Sequence, residues 1–327
     1  MVNKSNQYFA ARNGYDGFTS YFGDVFCPSH FTKIFILKGG PGTGKSTLMK
    51  RLENAFLNDC NKVDCILCSS DKGSYDGIIL EKNDRRIAVI DGTAPHATDP
   101  TLPVVCEEIV NLEKAIREPL ISKSRLALEE LWEKKKEQYA LAYHFLLVCG
   151  EIDRNYTAVS NSVDSSEEKS RMLYALERLT YLKNSRVRKK LYECFGKDGL
   201  YRLTPQQTQS ETLSFNRSSF AHEYLCETLL QRHADADFII NCLDGKVDKI
   251  NMPSIALTLS FDEHRAMDDE LISIYNDSSL IAKSHFATAS MFHFEMEKYY
   301  TDALDFSALD DIFYNLQEKV KVLLSIS

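Results

Sequence analysis

No stretch of this 327-residue chain approaches the roughly 20 consecutive apolar residues that a membrane span needs. The opening MVNKSNQYFAARNGYDGF also lacks the apolar core of a secretory signal, so a cytoplasmic location is expected and membrane partners are not. Positive charge is in short supply. With 39 Lys and Arg against 47 Asp and Glu, the net charge of −8 argues against a general grip on nucleic acid. The nine cysteines are an odd, scattered set, which suits free thiols in a reducing compartment better than a disulfide framework. One CxxC is present, Cys65 to Cys68, inside the strand-like VDCILC. Positions i and i+3 of a strand face opposite ways, and no second pair accompanies it, so neither a zinc nor a redox role is expected. The local exception to the acidic balance is Arg186-Val187-Arg188-Lys189-Lys190, which reads as a solvated helix face or as a contact for phosphate or an acidic partner.

The composition, 44% apolar and 26% charged, is that of an ordinary globular protein, and the length suffices for two domains. The informative segment is Gly39-Gly40-Pro41-Gly42-Thr43-Gly44-Lys45-Ser46, followed by Thr47. It is a complete GxxxxGK[ST] phosphate-binding loop, with the apolar run Ile34–Leu37 before it and a helical pattern after it. Glycines let the backbone wrap close to phosphate oxygens, and the helix N-terminus behind them favours an anion. Lys45 is placed to reach the β- and γ-phosphates, and the Ser46 hydroxyl to ligate Mg²⁺.

Along the chain, the pattern predicts a short helix over residues 18–26, a strand over 33–37, the loop, and a helix to about Asn58. A second strand over 63–67, a turn-rich loop over 69–77 and a third strand over 87–90 follow. Such alternation implies an α/β fold, a parallel sheet with helices on both faces. From Pro103 to about Phe195 the chain turns rich in Glu, Lys, Leu and Ala at helical spacing, with a polar gap over 160–169. The expected domains are therefore an NTPase core over 1–102, a long helical insertion or bridge over 103–195, and a second, degenerate α/β half over 196–327.

That second half rests on an internal repeat. The segment 87–96 (IAVIDGTAPH) aligns without gaps to 255–264 (IALTLSFDEH), CSSDKGSYDGI resembles CLDGKVDKI, and Gly14-Tyr15-Asp16-Gly17 has an echo in Gly196-Lys197-Asp198-Gly199. Lys123-Ser124 with Glu137 and Tyr139 matches Lys283-Ser284 with Glu297 and Tyr299. Where a second phosphate loop should follow residues 211–215, the chain reads Asn216-Arg217-Ser218-Ser219, without glycine or lysine. The ungapped alignment also puts Leu259 where Asp91 stands. One active nucleotide site and one pseudo-domain are expected.

Asp91 ends an apolar strand, the place of a Walker B acid that would hold the Mg²⁺ shell opposite Ser46. Gly92 follows it, where many hydrolytic relatives of such loops carry a water-orienting Glu. That group must come from elsewhere, with Asp71, Asp76, His96 and Glu107 as candidates. A transition-state arginine is open among Arg117, Arg125 and Arg154, and Lys38 reads as a strand-end residue. No guanine motif stands in the right place, since Asn61-Lys62-Val63-Asp64 precedes the second strand.

GGPGTGKSTLMK, the CSSD-containing loop and DGTAPHATDP together resemble a bacterial P-loop ATPase family of unassigned substrate, whose chains carry two P-loop halves. The resemblance spans most of residues 8–150 and, more weakly, the tail, where HFEMEKYYTDALDF looks like the family's closing helix. It implies ATP binding, and by motif it sets the loop on Gly39 to Thr47 and the acidic positions on Asp71 and Asp91. The eroded second loop departs from that pattern. Three functions follow from the sequence: an ATPase that switches its own helical region, a protein partner or a second copy of itself; a kinase that passes the γ-phosphate to a small molecule; and a nucleotide-binding scaffold.

Overall fold

The apolar run before the loop becomes the middle of strand β4 (Lys33–Lys38), paired with parallel strands on both edges and buried on both faces, Phe35 and Leu37 in one apolar cluster and Ile34 and Ile36 in another. The computed structural model describes residues 5–159, 166–205, 209–262 and 268–325. The chain enters through β1 (Asn6–Phe9), the hairpin β2 (Ala11–Gly14) and β3 (Gly17–Ser20), and one helical turn, α1 (Phe22–Val25). The expected helix over 18–26 is thus a strand end and a single turn. After β4 come α2 (Lys45–Phe56), β5 (Lys62–Leu67), β6 (Tyr75–Lys82), β7 (Arg85–Asp91) and β8 (Glu107–Asn111).

The first sheet has the order β1-β5-β6-β7-β4-β8. The chain is α/β as expected, but the sheet is mixed. Strand β6 runs antiparallel between β5 and β7, across residues read as part of a turn-rich loop. Helix α2 covers one face with Leu48, Met49, Leu52 and Phe56. All four are almost completely buried, which stabilises by roughly 1.5–3 kcal/mol per side chain.

A short turn, α3 (Glu118–Ile121), leads into the long helix α4 (Arg125–Val159), followed by α5 (Ser166–Leu179). Then come β9 (Val187–Lys190), the hairpin β10 (Glu193–Gly196) and β11 (Gly199–Arg202), β12 (Glu211–Asn216), α6 (Phe220–Gln231), β13 (Ala236–Ile240), β14 (Val247–Met252) and β15 (Leu257–Asp262). Two helices close the described chain, α7 (Asp269–Asp302) and α8 (Phe306–Ser325). The region over 103–195 is therefore not purely helical: it begins with β8 and already contains β9. The basic cluster expected on a helix is that strand, held by Asp235 and Asp237 at the start of β13.

The second sheet has the order β12-β15-β14-β13-β9. Read from the other edge it repeats β1-β5-β6-β7-β4, with the same parallel and antiparallel neighbours at every step. The two GxxG segments close equivalent two-residue hairpin turns, with Gly14 opposite Gly17 and Gly196 opposite Gly199. The edge strands of the two sheets meet where Phe9 and Leu191 exchange two backbone hydrogen bonds, 2.8 and 3.2 Å.

Helices α4 and α7 pack lengthwise and antiparallel, with Lys135 opposite His293 and Cys149 opposite Tyr275. Beyond them the cover is exchanged. Helix α5 packs on α6 and β12 of the second sheet, and α8 packs on β7 and the segment 112–115 of the first. Among the described residues no helix is long and apolar enough to cross a membrane.

Candidate functional site

Strand β4 ends at Lys38, and the chain leaves the sheet through Gly39–Gly44 before α2 begins at Lys45. Gly42 and Gly44 take φ of 72° and 86°, left-handed values that Cβ-bearing residues resist. Gly44 is the N-cap of α2 and no side chain caps the helix, so its first N–H groups are free of side-chain partners. The loop is held by Thr43 Oγ1, which donates to Gly40 O at 2.8 Å. Lys45 folds back on the same loop, donating to Gly39 O at 2.5 Å and Gly40 O at 3.0 Å, and stands 3.6 Å from Asp91.

Register brings the acids to this edge. Leu37, next to last in β4, pairs with Asp91 at the end of β7. Asp91 Oδ1 accepts from Thr93 N at 2.9 Å and Thr93 Oγ1 at 2.6 Å, leaving Oδ2 toward Lys45. Ser46 Oγ accepts from Tyr75 N at 2.9 Å, which ties the first turn of α2 to the start of β6. The next residue, Asp76, directly precedes the Gly77–Ile90 pair and so lies beside Asp91 on the neighbouring strand. Asp76 Oδ2 is buried without a hydrogen bond and lies 3.3 Å from His96 Nε2. His96 is itself buried, stacked on Phe22 at 4.1 Å, with Nδ1 3.3 Å from Ser20 Oγ. Lys38 does more than end a strand. Its ammonium donates to Gly92 O and Thr98 O at 2.9 and 2.8 Å and fixes the segment that carries His96.

Asp71 and Glu107 fall elsewhere. Asp71 pairs with Lys197 in the β10–β11 turn at 2.9 Å and accepts from Ser74 Oγ at 3.0 Å. Burial raises its pKa, but Lys197, Ser74 and the Gly73 N–H together bring it below the ordinary value. It therefore joins the two halves and is not directed at the loop. Glu107 pairs with Ile34 at the start of β4, the opposite sheet edge, where it accepts from Thr101 N and Leu102 N. The three arginine candidates are also engaged. Arg117 donates to Leu304 O, Arg125 pairs with Glu129 and Arg154 with Glu151.

The cation that the α4 region does bring is Lys135. Its ammonium lies 3.3 Å from His293 Nδ1 and 5.0 Å from the Trp132 ring. Burial lowers its pKa, Cys68 and Glu297 partly offset this, and the charge of Lys45 lowers it a little further.

The outer side of the loop is covered by the end of α7 and by α8. A Cβ built on Gly40 would lie 2.7 Å from Tyr300 Cζ and closer still to Cε1. One on Gly42 would lie 2.8 Å from Glu297 O and 3.0 Å from Thr301 Oγ1, and one on Gly44 would lie 3.2 Å from Phe313 Cζ. The glycines thus admit two helices as well as shaping the turn. Arg117 N donates to Ala303 O and Asp305 N to Ala115 O, so the α7–α8 joint is pinned beside the site.

Comparison with family models, curated proteins and solved structures yields no match.

The corresponding turn of the second half is built differently. Arg217, almost fully buried, pairs with Asp244 at 2.8 Å and Asp248 at 3.0 Å, and Glu168 of α5 accepts from Asn216 N. An internal ion pair stands where the first half has the glycine-rich loop. Register also corrects the ungapped alignment: Leu259 pairs with Leu213 in mid-strand, and β15 ends at Asp262, so Asp262 is the strand-end acid here. The nine cysteines are all free, and Cys65 is core. No cluster of three or more His, Cys, Asp or Glu among the described residues could hold a metal alone.

Proposed function

We propose that the Gly39–Ser46 loop binds the triphosphate of ATP as a P-loop, and that the chain is an ATPase whose nucleotide state is transmitted to α7 and α8. The observation that carries this reading is the contact of Tyr300, Glu297 and Phe313 with the glycines of that loop. Two of the three Lys45 N–H groups are spent on Gly39 O and Gly40 O, so an anion entering the loop meets the third and competes for the other two. Any shift of Gly40 or Gly42 in that exchange would press on Tyr300 and Glu297 of α7.

The donor set suits Mg²⁺. Ser46 Oγ accepts one N–H and keeps its other lone pair, and Asp91 Oδ2 accepts no hydrogen bond among the described residues and faces Lys45 at 3.6 Å, so one hydroxyl and one carboxylate oxygen could serve a hard cation that prefers oxygen. When bound, the ion would neutralise phosphate charge. Asp76 and His96 supply the polar pair absent after Asp91. Asp76 Oδ2 faces Nε2 at 3.3 Å with its hydrogen-bonding capacity unspent and Ser20 faces Nδ1, an arrangement able to orient a water or an acceptor hydroxyl and to take up its proton. Lys135 stands against His293, one helical turn from the Glu297 that meets Gly42. The resemblance to two-halved bacterial P-loop ATPases agrees with the repeated strand order, with the second half serving as a scaffold whose own loop is replaced by the Arg217 ion pair.

ADP release from ATP and Mg²⁺, with Lys45→Ala as control, tests the reading. Turnover without an acceptor supports the ATPase. Turnover only with a metabolite pool makes the protein a kinase, and binding without turnover in either condition makes it a scaffold. Hydrogen exchange over residues 297–313 should slow on ATP binding. Unchanged exchange there removes the switch.

A further inference from the structure

A second site lies on the opposite edge of the two sheets. A cavity of about 590 Å³ opens between the starts of β1 and β5, the β6–β7 turn, and the starts of β9 and β13. Its size falls within the range of small-molecule pockets, roughly 300–1,000 Å³. Six cations line it: Lys62, Arg85, Arg86, Arg186, Arg188 and Lys190. Three carboxylates, those of Glu81, Asp84 and Asp237, stand against them.

Half of these cations are already used. Lys62 bonds to Asp64, Lys190 to Asp237, and Arg188 to both Asp235 and Asp237. Of the other three cations, all guanidinium groups, only Arg86 has a carboxylate within ion-pair reach among the described residues, and at long range. Arg85 and Arg186 make no side-chain hydrogen bond or ion pair among the described residues. Arg86 rests on the Phe31 ring at 4.3 Å, and its buried Nε has no hydrogen bond, the nearest carboxylate, that of Glu81, being 3.6 Å away. Burial and then the charges of Arg86 and Arg188 push the Arg186 pKa down to about 10, and His30 is lowered by burial and by Arg186 and Arg86. These groups therefore crowd one another in a partly desolvated space. Uncompensated charge at such depth is costly, and a forked guanidinium matches the oxygens of a phosphate two at a time.

We propose that this cavity binds a small phosphate ester carrying at least two negative charges, held by Arg86 and Arg186 across the junction of the two halves. A nucleic acid backbone is disfavoured. The cations converge in one cavity instead of tracking along a surface, Glu81 and Asp84 share its wall, and the chain carries a net charge of −8. The proposal is independent of what the Gly39–Ser46 loop does, because that loop lies at the other ends of the parallel strands.

The test uses the full chain carrying Lys45→Ala, so that the loop contributes no anion binding, titrated calorimetrically with pyrophosphate. One binding event is expected, weakened at least tenfold by Arg186→Gln and by Arg86→Gln and unchanged by Arg154→Gln, a control for overall charge on exposed α4. Arg186→Gln relieves like-charge repulsion, so its melting temperature without ligand should equal or exceed that of its parent, which separates lost binding from lost folding. The absence of a pyrophosphate signal in the Lys45→Ala chain overturns the proposal, as does an affinity unaffected by Arg186→Gln. Tighter binding of citrate than of pyrophosphate would refute the phosphate class. Tighter, Arg186-dependent binding of a single-stranded oligonucleotide would refute the small ligand.

Discussion

Replacing Gly40 with Ala should damage the protein through one neighbour, Tyr300. The added Cβ would lie 2.7 Å from Cζ and 2.8 Å from Cδ1 of that ring, where carbons rest at about 3.5–4.0 Å. The ring must retreat by about 1 Å, and overpacking of this kind costs about 1–3 kcal/mol. Gly40 has no positive φ, so the backbone adds no strain of its own. Tyr300→Ala alone loses part of a half-buried ring, but it also removes the obstacle. Gly40→Ala in the Tyr300→Ala background should therefore be nearly neutral, and the double-mutant cycle should give a coupling of about 1–3 kcal/mol. Urea unfolding of the four proteins measures it, and ATP affinity followed in parallel should show the same rescue. Additivity within about 0.5 kcal/mol would mean that α7 does not rest on the loop, and the proposed switch would lose its contact.

Asp76→Asn and His96→Gln should each spare ATP binding and slow turnover by about 10²–10⁴-fold, the usual worth of a positioned proton acceptor; loss of binding with turnover would instead make the pair structural. Asp248 gives a pH signature. Burial raises its carboxyl to about 6, only partly opposed by Arg217, so the native state holds this proton more tightly than the unfolded chain does. Its contribution to stability therefore falls as pH rises from about 4 to 6, by up to about 3 kcal/mol, and urea midpoints across that window should lose this slope in Asp248→Asn. Asp71 and Asp237 act with the opposite sign. Salt bridges hold both below the ordinary range against the effect of burial, so their stabilisation is lost only as pH falls below about 4, and Lys197→Ala should weaken the acid resistance that Asp71 provides.

The contiguous parts of the site were legible in the sequence. Strand β4, the loop, α2 and Asp91 at the end of β7 each declare themselves over a few residues. Strand β6 did not, because Asp76-Gly77 reads as a turn. Gly77 is required there for a different reason: the Phe26 ring fills the space of its side chain, with Cζ 2.7 Å from where a Cβ would be. The basic run of β9 read as a helix face because its counter-charges, Asp235 and Asp237, lie 47 to 49 residues away. Lys135 is the middle one of three consecutive lysines, Lys134 to Lys136, and the two beside it pair with neighbouring glutamates on an exposed face. Only the antiparallel packing of α4 on α7 singles it out.

The exchange of α5 and α8 between the sheets bears on how the chain is made. The Gly39–Ser46 loop leaves the ribosome early, yet the surface that seats it includes Tyr300, Leu309 and Phe313. A nascent or prematurely terminated chain would display the motif without its lid, with the buried faces of β7 and the 112–115 segment open to water and to chaperones. The proposed competence for nucleotide would then wait until translation had passed Phe313.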